Sequence, residues 1–101
     1  MNDFKNKENT YKRIINILCE HMDINSSELI KIMKDKECRY ILFLLLKKYD
    51  CINMENLNRD FLIDSKKKIT SNLRKAEEKM LINKRIRDMY FEAENIMEKY
   101  K

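Results

Sequence analysis

The 101-residue chain contains no glycine, no proline and no tryptophan. Glycine and proline punctuate strands, tight hairpins and phosphate-cradling loops, so their absence excludes Gly-rich nucleotide-binding loops. Histidine occurs once, at His21, and no Ser/His/Asp set has a recognisable local signature, so the chain is read as a non-enzyme. Cysteine occurs three times, at Cys19, Cys38 and Cys51, with no CxxC pair and an odd one left over. That spacing does not suit a disulfide framework, and the three are read as reduced thiols on apolar helix faces. Cys19 and His21 form the one close Cys/His pair, which supplies half of a zinc tetrahedron, so neither metal nor cofactor is expected. Long apolar runs are missing as well. Residues 41–46 are continuously apolar, far short of the ~20 that a membrane-spanning helix needs. Residues 1–9 place no apolar run behind their charges, so no signal peptide is expected and the chain should stay in the cytosol, at the nucleoid if it binds DNA.

What the sequence has is charge and helical periodicity. With 44% hydrophobic and 39% charged residues, its length suits one heavily solvated domain that buries a core without metal or disulfide. Residues 1–9 are expected to form a flexible arm, and residues 10–101 the domain. Tyr11, Ile14, Ile15, Leu18 and Met22 recur at steps of three and four, as one face of a first helix. Asn25, with Glu28 three residues later, resembles a capping box and opens a short second helix to about Met33. After a polar joint at residues 34–37, residues 38–49 are apolar almost all round the helical wheel, so this helix must be covered on several sides. Asn53 caps a short helix carrying Met54, Leu57 and Phe61, and Ser65 caps another with Ile69, Leu73, Ala76 and Met80 on one face. Two helices joined by so short a turn predict a helix-turn-helix. A last helix, about residues 84–100, carries Ile86, Met89, Tyr90, Ala93, Ile96, Met97 and Tyr100. The expected fold is all-α, a compact bundle of about six helices.

The net charge of +5 is unevenly spread. Residues 66–87 hold nine basic residues against two acidic ones, a local excess of seven. A basic stripe on one helix is the electrostatic footprint of phosphate binding, although AT-rich codons also raise lysine content. Position says more than number. Lys66, Lys67 and Lys68 occupy the first turn after the Ser65 cap, where the helix dipole disfavours cations by ~0.3–1 kcal/mol each. Phosphates near these lysines and the free N–H groups of the turn relieve that strain. Ser65, Thr70, Ser71 and Arg74, with Asp64, are the candidates for reading bases, and Arg74 and Lys75 join the lysines as phosphate contacts. Tyr40, Tyr49, Tyr90 and Phe91 do not interleave with lysines as a single-strand stacking platform requires.

From about Tyr11 to Tyr100 the order of segments resembles the C-terminal DNA-binding domain of the bacterial replication initiator DnaA. Residues 14–21 look like its first helix and residues 24–29 like its capped second one. Cys38-Arg39 is similar to the Ala-Arg pair opening its central helix, and Ile69 with Leu73-Arg-Lys-Ala76 follows its recognition helix. The resemblance implies a Trp-repressor-like bundle and a DNA contact for Arg39. Where the family carries Gly-Gly-Arg-Asp-His-Thr-Thr-Val, this chain reads Leu62-Ile-Asp-Ser-Lys-Lys-Lys-Ile69, and its basic loop before the central helix is shorter. The reading is therefore double-stranded DNA binding by a free-standing relative or fragment of an initiator or transcription regulator. The rival is a protein-interaction module that keeps the fold without the reading motif and forms a homodimer or a complex with a protein partner.

Overall fold

The computed structural model describes residues 3–99; Tyr100, expected on the last helical stripe, lies outside them. The described residues form six α-helices and no strand. These are α1 (Asp3–Met22), α2 (Ile30–Lys34), α3 (Lys36–Lys48), α4 (Met54–Phe61), α5 (Lys66–Ile82) and α6 (Lys84–Glu98), with a single 3-10 turn at Ser26–Glu28 before α2.

In a chain without glycine or proline, short polar side chains start the helices. Asp35, Asn53, Ser65 and Asn83 each accept a hydrogen bond from the backbone N–H three residues on, opening α3, α4, α5 and α6. At Asn25 the side chain accepts from the Ser27 N–H while the Glu28 carboxylate accepts from the Asn25 N–H. This reciprocal pair matches the capping box read from the sequence, but it opens a 3-10 turn and the α-helix waits until Ile30. The expected polar joint at residues 34–37 shrinks to Asp35, because its carboxylate caps Cys38 and lets α3 begin at Lys36. Asn83 serves two helices. Its N–H closes α5 on the Lys79 carbonyl at 2.8 Å, and its side chain caps α6 through the Ile86 N–H.

Ending helices is harder without glycine. Asp23, Asp50 and Leu62 follow α1, α3 and α4 with φ of 55°, 51° and 59°, the left-handed region that glycine normally fills. The next residues, Ile24, Cys51 and Ile63, return their N–H groups to Cys19, Leu46 and Leu57, and all three pack with the core. An apolar residue just past the left-handed one is the usual companion of such caps. Aspartate tolerates this conformation; leucine does not.

The core forms around α3, where Cys38 and the unbroken run Tyr40 to Leu46 are buried. Helices α1, α2, α5 and α6 all pack on it, α5 most extensively. Ala76 of α5, fully buried, marks a close approach that a larger side chain would wedge open. The Cα radius of gyration of 12.8 Å matches the ~13 Å of a compact 100-residue domain.

The N-terminal arm expected over residues 1–9 is largely helix, since α1 begins at Asp3. Its first turns are tied down: the Lys7 ammonium pairs with Asp50 at 3.0 Å, and Glu8 accepts from the amide of buried Asn56 at 2.6 Å. Nearby, the Tyr11 hydroxyl donates to Asp60 at 2.6 Å. Burial pushes the Asp60 carboxyl up, but hydrogen bonds from Arg59 and Tyr11 outweigh it and hold the group below its usual range.

Leu62 makes the fold's backbone strain measurable. A left-handed non-glycine residue costs about 1–2 kcal/mol, and glycine gives back about 0.5–1 kcal/mol through its freer unfolded chain. Leu62 is 70% exposed, so little packing is lost on replacement. Leu62→Gly is therefore expected to raise stability by about 0.5–1 kcal/mol, read as a higher urea midpoint at unchanged slope.

Candidate nucleic-acid interface

Helix α5 turns Ile69 and Ala76 inward, with Leu73 and Met80 partly covered, which leaves Lys66, Lys67, Lys68, Thr70, Ser71, Arg74 and Lys75 exposed. Ser65 accepts from the Lys68 N–H at 3.3 Å and so opens the helix where the lysines cluster; no acid occupies this first turn.

The expected site residues divide between two flanks of α5. A shallow cleft of about 500 Å³ brings together Arg39, Ser65, Lys67, Lys68, Ser71 and Lys75 over an apolar floor that includes Met33, Phe61 and Ile63. Among the described residues, no carboxylate lines it. Thr70 and Arg74 fall on the other flank, in a depression shared with Lys47, Glu77 and Glu78, where Lys47 pairs with Glu77 at 2.9 Å. Lys66 lines neither. The cleft also contains Asn72, which the sequence reading passed over; its amide donates to the Lys68 carbonyl at 2.8 Å. Its only signal was position, one helical turn beyond Lys68.

The basic stripe of residues 66–87 is not one patch. Lys84 pairs with Asp88 at 2.8 Å and Arg85 with Glu37 at 2.6 Å, while the Arg87 guanidinium donates to the carbonyls of Met80 and Leu81 at the end of α5. Those three cations are engaged within α6, with α3 and with the end of α5 respectively. Lys68 pairs with Asp64 at 2.9 Å, and that lysine holds the Asp64 carboxyl below its usual range. The pair is exposed and weak enough for a phosphate to displace. Lys66, Lys67, Arg74 and Lys75 make no ion pair among the described residues.

Arg39 is half-buried, unlike a free arginine at a helix start. Its guanidinium donates to the Met33 carbonyl at 3.0 Å and lies 5.5 Å from the centre of the Tyr40 ring, and its Nε is buried without an acceptor. The side chain is thus aimed by packing and incompletely satisfied.

Elsewhere, a groove of about 270 Å³ between α1 and α6 is lined by Ile17, Leu18, Met89 and Ile96 beside His21 and Glu92. Among the described residues, no group of three or more His, Cys, Asp and Glu side chains is placed to hold a metal ion, and no helix is long and apolar enough to cross a membrane. No family model, curated protein or solved structure matches the chain.

All three thiols are buried. Burial pushes Cys19 up, Cys38 up to about 12 and Cys51 up to about 11, with nearby acids adding to the effect. The thiolate is the nucleophile, so none of the three should react with iodoacetamide in the native protein at pH 8, and all three should react in urea. The same shifts set a pH dependence. The folded state keeps protons that the unfolded chain loses above about pH 9, the ordinary thiol value, so stability should fall as pH rises past that point. Rapid native labelling would contradict the first expectation, and a midpoint that is flat from pH 8 to 10 the second.

Proposed function

We propose that the protein binds double-stranded DNA. In this reading α4, the residues 62–65 and α5 act as a helix-turn-helix, with the N-terminal half of α5 in the major groove. The observation that carries it is the exposed α5 surface from Lys66 to Lys75, which holds five cations and no acid, together with the Arg39 cleft alongside. The surface changes sign at Glu77 and Glu78, so only the N-terminal half of the helix suits a phosphate-lined groove. Helix-turn-helix proteins present that end of the second helix to base edges. The similarity of the segment order to the DnaA C-terminal domain supports the same reading, as a relative of replication initiators or transcription regulators.

A second reading, a protein-interaction module, is favoured by Leu81 and Ile82, 79% and 75% exposed at the end of α5. It expects a stable dimer or complex and only weak, salt-sensitive DNA association.

Fluorescence anisotropy with an initiator-box, an AT-rich and a random duplex, at low and near-physiological salt, separates the two. Preference for one duplex that persists at higher salt supports sequence-specific binding, whereas no binding at low salt removes the DNA reading. Lys67→Ala is expected to weaken binding to every duplex and to lower the salt slope by about one unit. Lys84→Ala removes the same charge from a lysine already paired with Asp88 and should leave the slope nearly unchanged. Equal effects of the two substitutions would show that net charge, not the α5 surface, drives association.

A further inference from the structure

Ser71 is a small residue among long cations. On α5, Lys67 and Lys75 stand four residues to either side and Lys68 three residues before, and all of them line the same cleft. Side chains at those offsets are surface neighbours, with Cβ atoms about 5–6 Å apart. A short side chain there leaves a depression with a hydroxyl donor on its floor and ammonium groups on its rim. Across the cleft, α3 contributes Arg39, whose half-buried guanidinium is held by the Met33 carbonyl. Asp64 is paired with Lys68 and does not line the cleft.

We propose that the Ser71 depression is the seat of one backbone phosphate of the bound duplex. The Ser71 hydroxyl and the Lys67 and Lys75 ammonium groups donate to the non-bridging oxygens, and Arg39 closes on them from α3. Arg39 brings a guanidinium to the same cleft, and charge-assisted bonds to phosphate are the strong kind. The seat also divides labour across α5. One flank grips the strand and sets the register, and Thr70 and Arg74 on the other flank are left to face base edges. The source of the phosphate rests on the DNA reading; the oxyanion chemistry of the seat does not.

The test compares Ser71→Asp with Asn16→Asp, which makes the same charge change at an exposed position of α1. Inorganic phosphate is titrated at low ionic strength against a chloride control and followed by NMR, and duplex affinity is measured by anisotropy. Shifts are expected to centre on the Ser71 and Asn72 amides and the Arg39 side chain. They should vanish in Ser71→Asp and persist in Asn16→Asp. Duplex affinity should fall about tenfold in Ser71→Asp and less than about twofold in Asn16→Asp, as expected for the loss of one charge-assisted contact. Phosphate shifts that survive Ser71→Asp, or an equal loss of duplex affinity in both variants, overturn the seat even if the duplex binds. Phosphate shifts at Ser71 with no duplex binding at any salt leave the seat standing as an anion site and remove the DNA reading.

Discussion

Everything in this small domain depends on covering α3. Seven consecutive residues of that helix, Tyr40 to Leu46, are buried, so it has no side left for water. A helix of this kind is stable only inside a ring of others, and α1, α2, α5 and α6 supply the ring. That requirement positions the candidate interface. Helix α5 lies along α3 through Ile69, Leu73 and Ala76, which fixes its rotation and turns Lys67, Ser71 and Lys75 outward. Arg39 leaves the same central helix near its N-terminus, and this is why one cleft is built from α3 and α5.

Electrostatics then sorts the cations. Those near the α5–α6 corner are spent locally, Lys84 on Asp88, Arg85 on Glu37 and Arg87 on two carbonyls. Individually such exposed contacts add little stability. They leave the cations Lys66 and Lys67, unpaired among the described residues, in the first turn of α5, where the helix dipole already makes cations unwelcome and an anionic ligand welcome.

The absence of glycine marks the backbone as well. Two of the three left-handed helix ends fall on aspartate, whose short polar side chain tolerates the conformation, and the third falls on Leu62. Leu62 lies in the connection between α4 and α5, on the rim of the basic cleft, so the strained turn and the candidate interface coincide. Strain held at such a place is consistent with a functional constraint on the turn.

Much of the architecture was legible in the sequence because helical periodicity and capping are local. The α3 run announced a surrounded helix, Asn53 and Ser65 announced their helix starts, and Asn25 announced a capping box that opens a 3-10 turn instead of the α-helix. Asp35 was missed because residues 34–37 read as a polar joint, and Asn83 was not read as a cap; only the hydrogen bonds to Cys38 and Ile86 reveal the two caps. The N-terminal turns of α1 were read as an arm because their support is distant in sequence, from Asp50 and Asn56. The candidate site followed the same division. The sequence by itself determined that lysines crowd the start of α5, since composition and helix position need no partner. Only the tertiary structure decided which cations are already paired, that Arg39 faces the same cleft as Lys67 and Ser71, and that Thr70 and Arg74 lie on the other flank. Pairing and shared clefts are properties of residues far apart in the chain, and packing around α3 is what brings them together.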